Sequence, residues 1–464
     1  MTKPTDKEHK KGLLVICIVA FLIPFMGSSL NLALPHIGEE FEMKAVTLTW
    51  MLTVYLIATA VFQIPFARLA DLVGRKRVFI WGVVAFSVLT ALCGLAPSGG
   101  MLIVLRFLSG VAAAMISGTQ LAILTALFPP EQRGKALGIN TAVVYASLAI
   151  GPFLGGMLTH YLSWRSIFFV PALLGVITVV LSKFYLKGEW IEARGAKFDW
   201  AGAVLYALGL AGLIYGFSTL PDATGIVCLL AGLLAMSAFV LYEKKQSSPL
   251  FNVRLFSGNR VFSLSSLASL INYSATSAIA FMLSLYLQYV RGFNADHAGL
   301  ILISQACIQS VFSLIAGAMS GRIAPSKLAT IGMSVIVVGL AGLTFLTAET
   351  PIWMLIVLLL LLGMGFGTFS SPNTNVIMGS VEKKYYTQAS AITGTMRMTG
   401  QAISIGIAGM AISFYVGNQT IVPALYPDFM RSLKLTFIIF MILCAVGVYA
   451  SSVRNKRKAL DSEQ

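Results

Sequence analysis

Long apolar runs alternate with short polar breaks along the whole chain. Fourteen such runs stand at 13–34, 47–66, 78–96, 101–127, 136–158, 166–186, 200–218, 224–242, 261–289, 297–320, 328–347, 352–378, 387–414 and 433–453. A helix needs roughly 20 apolar residues to cross the hydrocarbon of a bilayer. Hydrocarbon offers backbone amides and carbonyls no water, so each run predicts a spanning helix that closes its own hydrogen bonds. The longest polar connections lie near 187–199 and 243–260, which leaves little chain for a soluble domain. The pattern predicts an all-α integral membrane protein of fourteen spans.

Charge sets the expected orientation. With the N-terminus taken as cytoplasmic, 26 of the 33 lysines and arginines fall in cytoplasmic tails and breaks. The outer breaks hold Lys44, Arg165, Arg291, Arg431 and Lys434, and Arg106 and Arg397 lie inside runs. This bias predicts a multi-pass protein of the cell membrane with both termini cytoplasmic. The basic tail (Lys3, Lys7, Lys10, Lys11) runs into a full-length span without a cleavage site, so the first span is expected to insert uncleaved.

Composition supports the class. Hydrophobic residues make up 57% and charged residues 11%, against about 25% charged in soluble domains. The net charge of +15 forms no basic domain, so no nucleic-acid partner is expected. The five cysteines all sit in apolar runs without CxxC spacing and read as packing residues. No metal-ligand or nucleophile constellation and no GxxxxGK[ST] phosphate loop occurs, so neither an enzyme, a cofactor nor ATP-driven transport is expected.

An internal repeat points to two halves. "ARLADLVGRKRVFIWG" (67–82) follows span two, and "GAMSGRIAPSKLATIG" (317–332) follows span ten. Both place a basic residue ten positions in (Arg77, Lys327) and close on glycine (Gly82, Gly332). Paired halves are the usual build of secondary transporters. Eight spans separate the copies where two six-span halves need six, so spans seven and eight are the expected insertion. The domains expected are a six-helix bundle at 1–187, two inserted spans with their linkers at 188–258, and a second six-helix bundle with a short tail at 259–464.

Within span five, "GPFLGG" places Gly151, Pro152, Gly155 and Gly156 together. Glycines permit close helix approach and proline frees a carbonyl. Tight packing with a flex point and plain packing without motion both fit. Asp71 with Arg75 and Arg77 is expected on a loop of about ten residues after span two. There it forms either a clasp built on Asp71 or a merely solvated basic loop.

Here the chain resembles the major facilitator superfamily. "ARLADLVGRKR" is similar to that family's loop signature between spans two and three. "LRFLSG" (105–110) resembles its span-four arginine motif, and "GINTAVVYASLAIGPFLGG" (138–156) its span-five antiporter motif. "NLALP" (31–35), "WMLTVYL" (50–56), "WRSIFFVP" (164–171) and "FDWAG" (198–202) resemble the fourteen-span drug/proton antiporter branch. That branch includes multidrug exporters and some tetracycline exporters. The resemblance implies alternating access between two bundles, export of amphipathic organic compounds and proton coupling. It assigns Arg106 to coupling or gating. The sequence departs from the pattern at Ala67, Ser109 and Ser147, and Met26 stands where the branch usually has an aspartate in span one.

None of the eighteen Asp and Glu residues and none of the four histidines lies inside a run. Proton relays in transporters use such embedded groups. At 1.5 Å per residue, Arg106 lies roughly 7 Å and Arg397 roughly 15 Å below the nearer surface. A guanidinium cannot shed its proton, so each needs carbonyls, hydroxyls, water or a bound anion. Near mid-span stand Tyr55, Tyr145, Asn272, Tyr273, Gln305 and Gln309, a set that fits a wet, neutral cavity with aromatic walls. Taken singly, each also fits an interhelical hydrogen bond. Met364, Phe366 and Phe369 fit an apolar wall or ordinary packing.

Three functional readings stay open. One is a proton-coupled exporter of amphipathic compounds, with Asp71 and Asp199 at span ends as proton carriers. The second is a transporter of an organic anion paired with Arg397, Arg106 or both, uncoupled, driven by the substrate's own protonation or coupled otherwise. The third is a membrane sensor or scaffold that moves nothing. The expected partners are a small-molecule substrate, the bilayer and, on the first reading, protons. The chain is expected to be a monomer.

Overall fold

The computed structural model describes residues 6–460 except 129, 187, 192–194, 196, 220–221, 247–248, 252, 321, 383–384 and 418. Among the described residues all regular structure is helical. The first group is α1 (Asp6–Glu40), α2 (Ala45–Val73), α3 (Arg75–Gly94), α4 (Gly99–Leu127), α5 (Pro130–Tyr161) and α6 (Ser166–Tyr185). Then come α7 (Trp200–Ser218), α8 (Ala223–Glu243) and the short α9 (Arg254–Gly258). The last group is α10 (Arg260–Thr276), α11 (Ile279–Leu285), α12 (Ala295–Met319), α13 (Pro325–Leu343), α14 (Ile352–Gly379), α15 (Tyr386–Tyr415) and α16 (Tyr426–Leu460). Fourteen helical stretches are long and apolar enough to cross a membrane, and each expected run lies in one of them, give or take a few terminal residues.

Large apolar side chains such as Leu173, Phe184, Leu234 and Phe345 stand on the exterior. That is what a hydrocarbon solvent selects, because packing between spans gains nothing from excluding lipid. The helices α1–α6 pack among themselves, as do α10–α16. Two seams join the groups, α2 against α15 and α5 against α12. The α7–α8 hairpin leans on the first seam, where α7 touches both α2 and α15 and the Tyr206 hydroxyl donates to the Ala60 carbonyl at 3.2 Å.

Two expectations need correction. The ten-residue loop expected to carry Asp71, Arg75 and Arg77 is absent. Helix α2 continues through Val73 and α3 begins at Arg75. Gly74 alone makes the corner, with φ at +125°, a conformation that costs a side-chain-bearing residue but not glycine. The helices continue because α2 closes on its own backbone beyond the apolar run, the Gly74 amide donating to the Ala70 carbonyl at 2.9 Å.

The ninth span, read as one helix over 261–289, is broken. Helix α10 ends at Thr276, α11 begins at Ile279, and a π-helical turn follows at Tyr286–Val290. Ser404 of α15 accepts from the Ala278 amide at 2.9 Å, which satisfies a donor at the break. A broken span at membrane depth survives only where neighbouring protein supplies such partners.

Candidate functional site

The site grows from two arginines without carboxylates. Arg106 on α4 is 2% exposed. Its guanidinium carbon lies 4.2 Å from the centroid of the Tyr55 ring on α2, and its Nε donates to the Met51 carbonyl at 3.4 Å. Met51 and Tyr55 are one helical turn apart, so a single face of α2 supplies both contacts. The ring face supplies negative potential that a carboxylate would otherwise give. The buried Arg106 Nη1 has no hydrogen-bond partner.

Arg397 on α15 also buries an unpartnered nitrogen, its Nε. It lies within electrostatic range of the Tyr55 and Tyr273 hydroxyls. Tyr273 on α10 packs edge-on against Phe366, with centroids 5.5 Å apart, and Tyr145 of α5 is within range of it. The Tyr145 hydroxyl is hydrogen-bonded to Ser370 of α14. One ring contact, one hydrogen bond and electrostatic proximity thus group Arg106, Tyr55, Arg397, Tyr273, Tyr145 and Ser370 as an arginine–tyrosine line. It draws on α2, α4 and α5 from one group and on α10, α14 and α15 from the other. Among the described residues, no ion pair reaches either arginine.

Asn272 adjoins this line one residue before Tyr273 and four before the end of α10. It is fully buried, and neither its Oδ1 nor its Nδ2 has a partner. Gln305 and Gln309 lie on α12. Their backbone carbonyls abut Gly363 and Gly367 at the α12–α14 contact. Among the described residues neither glutamine hydrogen-bonds to the arginine–tyrosine line. Phe369 is 1% exposed and sits in a separate small core with Ala268, Ala329 and Met333.

The glycines of span five serve close contact at the outer end, named after the charge bias. Gly151 and Gly155 lie against Ser28 and Ser29 of α1. Gly156 faces the Ala295 carbonyl of α12, and Gly299 of α12 faces the Pro152 carbonyl. Beside them Ser284 of α11 donates to the Asn31 carbonyl at 2.7 Å. Gly156, Gly299 and Ser284 therefore bring the two helix groups into close contact at this end. On the same side Glu40 accepts from Trp164 at 2.6 Å and from Arg165 at 2.8 Å.

At the inner end Arg75 is 3% exposed and pairs with Asp71, its Nη2 2.8 Å from Oδ1. Glu189 accepts from the Lys76 amide at 2.8 Å, and its other oxygen is 3.8 Å from the Arg77 Nε. The Trp190 carbonyl accepts from the Arg75 amide at 3.0 Å. The polar connection after span six therefore folds back and caps α3, where free amides favour a carboxylate. Glu189 was hidden in the sequence, because a lone acid in a polar connection carries no spacing signal. Glu243 was hidden too, as the first polar residue after an apolar run. The structure buries it to 3% exposure.

Comparisons with known proteins agree with this architecture. The riboflavin transporter RibZ of Clostridioides difficile is 29% identical over 411 residues, covering 88% of each chain. The tetracenomycin C resistance and export protein of Streptomyces glaucescens is 26% identical over 411 residues, 88% of this chain and 76% of that one. Among solved structures, a bacterial homologue of the human lysosomal transporter Spinster, inward-facing and unoccupied, superposes with a TM-score of 0.71 at 15% identity, over 97% of each chain. The Major Facilitator Superfamily model matches residues 16–405 and 265–463. The chain belongs to the major facilitator superfamily and is a multi-pass membrane transporter, not an enzyme.

Proposed function

We propose that this protein is a secondary active exporter of amphipathic organic compounds, working by alternating access. The observation that carries the reading is the arginine–tyrosine line, which draws on α2, α4 and α5 of one helix group and α10, α14 and α15 of the other. A cargo seated there touches both groups, so its binding favours one arrangement of the groups over the other. The aromatic walls of Tyr55, Tyr273 and Phe366 suit a planar apolar body. A relative named for tetracenomycin C export supports the direction, and a relative named as a riboflavin transporter supports a planar organic cargo. Proton coupling belongs to the proposal through the family, with Asp71 and Asp199 as the inner-end acids. Gly151, Pro152, Gly155 and Gly156 form the outer closing surface in this reading, and the working unit is the single chain.

A second reading concerns cargo charge. Arg106 Nη1 and Arg397 Nε are buried without partners, and an unpaired guanidinium at this depth favours an anionic group. A cargo with an acidic group satisfies both. The test is a thermal-shift panel of cationic, neutral and anionic aromatic compounds on wild type and Arg397→Gln. The anionic reading expects acids to stabilise wild type and to lose that effect in the variant, with neutral compounds unchanged. Cation-selective stabilisation contradicts it, and a panel in which nothing binds contradicts the exporter reading.

A further inference from the structure

The inner foot of the α7–α8 hairpin holds two carboxyls that face each other. Asp199 precedes α7, and its Oδ1 accepts from the Gly202 amide at 2.8 Å and from the Tyr242 hydroxyl at 3.3 Å. Glu243 ends α8, and its Oε1 accepts from the Phe251 amide at 3.0 Å. The remaining oxygens, Asp199 Oδ2 and Glu243 Oε2, are both buried and have no partner. They crowd the same point beside the Gly202 Cα, and the two side chains are within hydrogen-bonding reach of each other. Two acceptor-only carboxylates cannot bond at that approach. One proton between them turns repulsion into a hydrogen bond.

What this pair fastens is Pro249, Leu250 and Phe251. Leu250 and Phe251 are 4% and 8% exposed. They pack in one buried cluster with Ile64 of α2 and Ile392 of α15, and line a small pocket at the α2–α15 seam with Ala67 and Ala391. The strap thus spans both helix groups where an inner opening would part them. A cavity of about 350 Å³ reaches Glu243 from outside and is lined by Lys244, Gln246, Tyr385 and Gln388. It gives protons a way in and gives Glu243 a way out. Asp199 is the fixed member, because it caps α7.

We propose that Asp199 and Glu243 form a one-proton binding site, and that this proton fastens the strap across the α2–α15 seam. Loss of the proton leaves two adjacent negative charges. Glu243 then swings into the cavity toward Lys244, and the Phe251 amide loses its acceptor. The other titratable or charged groups around the pair are Tyr242 on α8, Lys244 and Lys245 just after it, exposed Lys197 before α7, Tyr385 before α15, and Arg68 and Asp71 of α2, which line the pocket against Leu250 and Phe251. The strap itself contributes none. The proposal rests on the transporter reading only for its purpose, since the site and its movement exist whether or not cargo moves.

Hydrogen–deuterium exchange of the Leu250 and Phe251 amides in the purified full chain, corrected for intrinsic rates across a pH series, tests it. In wild type, protection falls about tenfold as pH rises through the pair's titration, the change one hydrogen bond is worth. Glu243→Gln keeps the acceptor for Phe251 and supplies a permanent donor to Asp199, so it holds protection at every pH. Asp199→Asn does the same from the other side, and infrared difference spectra lose one protonated-carboxyl band in either variant. Protection that is independent of pH in wild type, or that follows pH in Glu243→Gln as in wild type, overturns the proposal. Cargo transport with a pH-independent strap sinks this site alone, and a pH-dependent strap without transport sinks only the exporter reading.

Discussion

Arg397 is the residue that most plainly announces itself in the sequence, because a guanidinium roughly 15 Å deep must be answered by something. The structure sets Tyr55 and Tyr273 within electrostatic range of it and leaves its buried Nε without a hydrogen-bond partner. Arg106 is answered by a ring face 4.2 Å away, a geometry no spacing rule reveals, because Tyr55 and Arg106 are 51 positions apart. The ring, rather than its hydroxyl, holds Arg106. Tyr55→Phe is therefore expected to keep the protein folded with near wild-type thermal stability. Tyr55→Leu removes the π face and costs about 2 kcal/mol, the scale of a desolvated cation–π contact. Denaturant or thermal unfolding in detergent checks this. Equal losses in the two variants place the contribution in the hydroxyl and contradict the account.

Helix existence was written plainly in the apolar runs, since only closed helices satisfy a backbone in hydrocarbon. Helix ends and interruptions were less legible. The corner at Gly74 looks like the middle of a basic loop until the backbone shows α2 and α3 meeting there. The break after Thr276 hides in "NYSATSAIA", whose small polar residues also suit an unbroken helix that bonds back on itself. The partner that permits the break, Ser404, is 126 positions away. Ser404→Ala strands the Ala278 amide in a buried place. The expected cost is about 1–3 kcal/mol, read as a lowered melting temperature, with Ser404→Thr restoring part of it. An unchanged melting temperature in Ser404→Ala shows that the break needs no outside acceptor.

On the scale of the molecule, two helix groups meet along α2–α15 and α5–α12, with close contacts between α5 and α12 and between α1 and α11. The internal repeat led to the expectation of two six-helix bundles with spans seven and eight inserted. The fold-back of Glu189 and Trp190 onto α3 and the packing of Leu250 and Phe251 at the α2–α15 seam were not readable. Both are short polar connections whose partners are set by tertiary packing. Of the candidate site, the sequence singled out Arg397, Arg106, Tyr55, Tyr145 and Tyr273 by depth and residue type, while Ser370 carried no signal because its partner Tyr145 lies 225 positions away. The central claim is that cargo crosses the membrane by way of Arg397. Solute counterflow in proteoliposomes, comparing wild type with Arg397→Gln at equal insertion, tests it most directly. The account predicts exchange of an acidic amphipathic aromatic compound by wild type and at least about a tenfold loss in the variant, the worth of one charge-assisted contact. Undiminished exchange by Arg397→Gln contradicts it.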